Sequence, residues 1–116
     1  MSVPPHSLNG LPTPKLAEAL KSQQTFTLLA DTFQALGDAS RIRIVWVLSK
    51  GEQNVGDLAA LLDMSQPAVS HHLRTLRNMR LVRVRRDGRT NYYSLDDQHI
   101  NRLLHEGIEH VEDLLP

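Results

Sequence analysis

A mainly α-helical fold closed by one small β-hairpin is what this sequence predicts, and three observations carry the prediction. From Lys15 onward, apolar residues recur at three- and four-residue spacing over most of the chain. Aromatic residues make up only 4%, and the aliphatic side chains that dominate suit helix packing better than a β-sandwich. In one stretch the period drops to two, where LVRVRR (Leu81–Arg86) and RTNYYSL (Arg89–Leu95) flank the turn signal Asp87-Gly88.

Met1–Pro14 holds four of the six prolines and is expected to be a flexible tail ahead of one domain over residues 15–116. Between Lys15 and Leu36, Leu16, Leu20, Phe26, Leu29, Ala30, Phe33 and Leu36 mark one long helix or two short ones, ended by Gly37. Asp38 or Ser40 caps the next helix, whose Ile42, Val45 and Leu48 form a stripe. Val55–Leu62 is a short helix. After Asp63 and Met64, Ser65 caps a longer one running to about Arg80, with Pro67 in its first turn. Two helices joined by so short a turn make a helix-turn-helix, and the hairpin that follows makes a wing. Asp96–Leu115 closes the chain as an amphipathic helix with Ile100, Leu103, Leu104, Ile108, Val111 and Leu115 on one arc. The expected order is therefore α-α-α-α-β-β-α.

Composition narrows the function. With 116 residues, 41% of them hydrophobic, there is room for one modest core and none for a large catalytic cleft. Cysteine is absent, which excludes disulfides, thiolate metal sites and thiol switches. No apolar run could span a membrane and no leader pattern opens the chain, so a cytoplasmic location is expected. The net charge of zero hides a segregation. Arg74 to Arg89 carries seven arginines against Asp87 alone; Asp96 to Asp113 carries six acids against Arg102 alone. A basic block suits a polyanion, and a separate acidic end suits another task.

The helix after Ser65 buries Val69, His72, Leu73 and Leu76, which leaves Gln66, Ser70, His71 and Arg74 on the opposite face. Gln and Arg can each bond a purine edge at two points in the major groove of double-stranded DNA, and Ser and His can reach bases or phosphates. Around the hairpin, Arg83, Arg85, Arg86 and Arg89 are candidates for phosphate contacts. His71 and His72 diverge on a helix and cannot share an ion; His72 is expected to pack and His71 to face DNA.

The last helix poses a different problem. His99 and His110 project in nearly the same direction but lie about 16 Å apart along the axis, too far for one ion. Each has a carboxylate nearby, Asp97 and Asp113 respectively. In a homodimer with two such helices antiparallel across the two-fold axis, Asp97 and His99 of one copy would meet His110 and Asp113 of the other. Four N and O donors suit Zn²⁺, with Co²⁺ or Ni²⁺ possible. Spacing alone leaves open a polar interface rim that binds nothing. His105 points elsewhere and is expected to face solvent.

These segments together resemble the ArsR/SmtB metal-responsive repressors, above all the zinc sensors of that family. The resemblance covers Leu29 to Asp113 and rests on ALGDASRIRI, VGDLAALLDMSQPAVSHHLRTLRNMRLV, DGRTNYYSL and DDQH with the later His110. It implies a dimer built from the first and last helices and DNA recognition by the helix after Ser65. It also implies a metal site of Asp97, His99, His110 and Asp113, with a metal-free dimer that holds DNA and releases it on binding metal. A hydrogen bond from His110 to the backbone near Arg80 would link the two ends. Two departures matter. Glu52-Gln53-Asn54-Val55 stands where other members carry cysteines, and Asp113 stands where the zinc sensors carry Glu or His. A repressor of the same fold answering a non-metal signal is the nearest alternative. A protein-binding module and a metalloenzyme follow, the latter disfavoured because four protein ligands leave no open coordination position. No membrane partner and no small-molecule substrate are expected.

Overall fold

The computed structural model describes residue 10 and residues 12–116. Most of the expected tail lies outside the described residues, and its last two positions, Thr13 and Pro14, already belong to a helix. That helix, α1 (Thr13–Ala19), is followed by α2 (Gln23–Leu36), α3 (Ala39–Leu48), β1 (Gln53–Asn54), α4 (Val55–Leu62), α5 (Gln66–Asn78), β2 (Val82–Asp87), β3 (Thr90–Leu95) and α6 (Gln98–Leu114). Lys15–Leu36 is thus two helices. No helix among the described residues is long and apolar enough to cross a membrane.

The chain divides after Ala30 into two compact units. In the first, the apolar side chains Leu16, Leu20, Phe26 and Leu29 are exposed. The second unit holds the core, with Ile44, Val45, Leu58, Val69, Leu73, Leu76 and Leu81 essentially sealed from water. Ile44 was absent from the stripe expected for α3, which is buried along Val45 and Leu48 as read, with Ile42 only half-buried.

Local chemistry explains where each helix starts and stops. Asp38 caps α3 by accepting from the Arg41 N–H (3.2 Å), and Asn54 caps α4 by accepting from the Asp57 N–H (2.8 Å). Ser65 caps α5 by accepting from the Ala68 N–H (3.2 Å). Each cap satisfies a backbone donor that a helix start leaves orphaned. Between α4 and α5, Asp63 takes the left-handed conformation (φ 53°), and the Met64 N–H returns to the Ala59 carbonyl (2.9 Å). Asp tolerates that conformation better than most side chains, so the three residues Asp63, Met64 and Ser65 suffice to redirect the chain. Arg43 donates to the Leu62 carbonyl (2.8 Å), satisfying the open end of α4.

The hairpin differs from its sequence reading by one residue. Asp87 pairs with Thr90, so the two-residue loop is Gly88-Arg89, with Gly88 at φ 64°. Glycine at the first loop position is the II′ requirement. A second difference is β1, two residues pairing with β3 (Gln53 with Tyr93, Asn54 with Tyr92) to make a three-stranded sheet of order β1-β3-β2.

Candidate nucleic-acid interface and ligand-bearing helix

α5 presents two faces of opposite chemistry. Its inner stripe of Val69, Leu73 and Leu76 is buried. The outer face exposes Gln66, His71 and Arg74, with Ser70 half-buried among them. The four side chains expected to face DNA therefore share one helix face. Beside them runs an open cleft of about 330 Å³ between α5 and β3, lined by Ser70, Leu73, Arg74, Arg77, Asn78 and Tyr93. Arg77 and Tyr93 had not been singled out from sequence. Their signal was available only as the three-residue step from Arg74 to Arg77, which stacks two arginines on one helix face.

His72 behaves as a packed residue: its Nδ1 is buried, makes no hydrogen bond, and lies 3.8 Å from Asp38. His71 is exposed, its ring centroid 5.7 Å from that of His72.

On the wing, the four arginines are not equivalent. Arg83 Nε lies 3.4 Å from Ser94 Oγ, and Arg86 Nε donates to the Gly88 carbonyl (2.9 Å). Arg85 makes a two-pronged pair with Glu52 (3.1 and 2.8 Å) and stacks over Tyr92 at 5.0 Å. That fork holds the Glu52 carboxyl below its ordinary range and raises the Arg85 guanidinium. Arg89 is exposed at the tip.

Arg80, the expected link residue, is exposed and left-handed (φ 57°) between α5 and β2, and its N–H bonds the Arg77 carbonyl (2.9 Å). It ends the helix two residues earlier than the reading to Arg80 allowed. The Leu81 N–H closes the same turn on the Leu76 carbonyl (2.9 Å).

α6 begins at Asp97, whose Oδ1 accepts from the Ile100 N–H (3.1 Å) and lies 3.6 Å from His99 Nδ1. The Ile100 N–H, chiefly, and the neighbouring His99 hold the Asp97 carboxyl below its usual range. His99 is 81% exposed in its side chain. His110 and Asp113, three turns on, are exposed as well. Asp97 and His99 are thus together, His110 and Asp113 share the far end, and within the single chain the two pairs stay apart. Among the described residues no three His, Asp or Glu side chains gather in one chain as an ion would require.

His105 corrects its sequence reading. It does not face solvent freely: its ring meets Trp46 at a tilt of 55° with centroids 5.0 Å apart, and Lys50 Nζ sits 4.1 Å from the same indole. The contact joins α6 to α3, and no local pattern could announce it because the partner lies far away in sequence.

A family model for bacterial regulatory proteins of the arsR family matches residues 38–84. The chain is 47% identical over 85 residues to a transcriptional repressor SmtB homolog of Synechocystis, covering 73% of this chain and 64% of that protein. It therefore spans just under two thirds of that relative's length. With the HTH-type transcriptional regulator NmtR of Mycobacterium tuberculosis it is 47% identical over 91 residues, 78% of this chain and 76% of the relative. The solution structure of apo-NmtR aligns with a TM-score of 0.69 at 45% identity, covering 81% of this chain and 79% of that one. A homodimeric winged helix-turn-helix DNA-binding domain from Mycobacterium bovis aligns with a TM-score of 0.76 at 25% identity, covering 84% and 93%. These relatives are transcriptional regulators, not enzymes. Fold, wing and matched sequence lead to one conclusion: the chain belongs to the ArsR (ArsR/SmtB) family of bacterial regulatory proteins.

Proposed function

We propose that the chain is a cytoplasmic, metal-responsive transcriptional repressor. In this reading, residues 15–116 form the DNA-binding and dimerisation domain. A metal-free homodimer holds operator DNA, and it lets go when Zn²⁺, or Co²⁺ or Ni²⁺, binds between two copies of α6. Gln66, Ser70, His71 and Arg74 read the major groove, while Arg83, Arg86 and Arg89 follow the phosphates.

The observation that carries the sensing half is the distribution of donors along α6. Asp97 and His99 lie exposed at its start, His110 and Asp113 exposed at its end. Each end offers one imidazole and one carboxylate, half of a four-coordinate N/O set, so two antiparallel copies would complete two equivalent sites. With no thiol in the chain, the donor set fits a borderline divalent ion and not a sulfur-seeking one. Bound metal would supply a fixed cross-link between the two helices. The protein's part is to hold each pair ready: Asp97 is fixed by its Ile100 bond, and His99 is kept beside it. Exposed Val111, Leu114 and Leu115 at the end of α6 support a partner surface there. A hydrogen bond from His110 to the backbone near Arg80 would carry the change to α5.

Operator binding titrated with Zn²⁺, Co²⁺ and Ni²⁺ at buffered free concentrations tests the reading. Metal should weaken operator binding by roughly 5- to 150-fold, the range of ordinary allosteric coupling. The variant with both His99→Ala and His110→Ala should bind operator as before and ignore metal. Release of that variant by zinc, or a native protein indifferent to all three ions, would refute the assignment.

A further inference from the structure

Among the wing arginines, Arg85 alone pairs its guanidinium with carboxylates, although its side chain stays half exposed. Its Nε and one terminal nitrogen bind both oxygens of Glu52, the other terminal nitrogen lies 3.8 Å from Asp87, and the plane rests 5.0 Å over Tyr92. Two carboxylates surround one cation, so the field at this point of the wing is not the positive one that the arginine count promises.

The sheet register shows what the pair spans. Tyr92 on the central strand pairs with Arg85 on one side and Asn54 on the other. Glu52 immediately precedes β1, at the opposite edge of the sheet from β2. The Glu52–Arg85 fork therefore crosses all three strands over the Tyr92 ring, joining residues 33 apart in sequence. Beside it, the two residues of β1 pair with Tyr92 and Tyr93 of the hairpin.

We infer that Arg85 is a positioning residue and not a phosphate contact: with Glu52 it straps the wing to the helix-turn-helix and sets the angle at which Arg86 and Arg89 approach DNA. The inference rests on the DNA-binding reading above for its consequence, but not for the strap itself. A planar fork on a carboxylate is the strongest geometry an arginine can adopt, and stacking on an aromatic face holds its plane. Orientation matters because phosphate contacts fix the register of the recognition helix on the duplex.

The test uses the full chain with an operator duplex and a random duplex over a range of salt. Arg89→Ala should flatten the salt slope by about 0.9, the signature of one lost phosphate contact. Arg85→Ala should keep the native slope while operator affinity falls about fivefold, the scale of one exposed ion pair. The charge swap Glu52→Arg with Arg85→Glu should recover most of that loss. A slope flattened by about 0.9 in Arg85→Ala would make Arg85 a phosphate contact after all, and a swap no better than the single variant would overturn the strap.

A DNA-free measurement separates this inference from the functional reading. Amide exchange at Gln53 and Tyr93 should quicken in Arg85→Ala and in Glu52→Gln and slow again in the swap. Unchanged exchange in the single variants would overturn the strap whatever DNA does. Failure of the native chain to bind any duplex would strike the functional reading and leave the exchange result to decide the strap.

Discussion

α5 and α6 are both amphipathic helices of the second unit, 13 and 17 residues long, and they are finished to different degrees. α5 buries Val69, Leu73 and Leu76 to within 1% of complete exclusion from water, all within its own chain. α6 buries Leu104 alone, leaving Val111, Leu114 and Leu115 at 51%, 70% and 63% exposure. The apolar stripe of α5 is fully covered within one chain. α6 has an exposed apolar end and two His–Asp pairs held apart at its two ends. On the proposed function, the reading surface would be complete in one chain, whereas the sensing surface would form only between two.

The largest effect should come from breaking the finished helix. Leu73→Ala, at a fully enclosed position, should destabilise the chain by about 2–5 kcal/mol in urea unfolding. Val111→Ala, half exposed, should leave unfolding nearly unchanged at low concentration but weaken self-association in sedimentation equilibrium. Equal losses of chain stability in the two variants would erase the contrast.

Next in size are the caps. Ser65→Ala should cost about 1 kcal/mol, since it removes the acceptor for the Ala68 N–H. Asp97→Asn should cost less thermal stability than Ser65→Ala, because Asn keeps the cap acceptor and loses only the charge, and it should move the metal titration to higher free ion by removing a charged donor. Loss of stability without a change in metal response would confine Asp97 to capping.

Acid should produce the smallest structural effect. Asp97 and Glu52 both have carboxyls held below their ordinary values. A depressed carboxylate stabilises the fold above its unfolded pKa, and that contribution goes as pH falls through the lower folded value. Cap and strap should therefore persist to below the ordinary carboxylate range of about 4. Metal response should fade in acid for a separate reason, because a protonated imidazole nitrogen cannot coordinate. Circular dichroism and operator release followed across the same pH series would separate the two losses.

Most of the fold was legible because its signals are local. Ser65, Pro67 and the Val69, Leu73, Leu76 stripe announce α5 within a dozen residues, and the switch to period two announces the wing. β1 was not legible: two residues carry no periodicity, and Gln53-Asn54 becomes a strand only because β3 lies beside it. The turn residue slipped by one since Asp87-Gly88 and Gly88-Arg89 are both good loop pairs, and strand pairing chose between them. The basic face of α5 and the donor pairs of α6 could be counted from spacing. What spacing could not show was which charges find partners in the same chain. Arg85 looks like its neighbours until Glu52 arrives from 33 residues away, and His105 looks solvated until Trp46 covers its ring.

The proposed crossing of two α6 helices can be tested by subunit exchange. Chains carrying His99→Ala and chains carrying His110→Ala should each form dimers that bind operator and ignore zinc. Mixed and allowed to exchange subunits, they give heterodimers in which one site has regained both imidazoles while the other has lost both. Zinc-induced release should return in the mixture, in proportion to the heterodimer formed. A mixture as unresponsive as its components would show that the two histidines do not meet across the dimer.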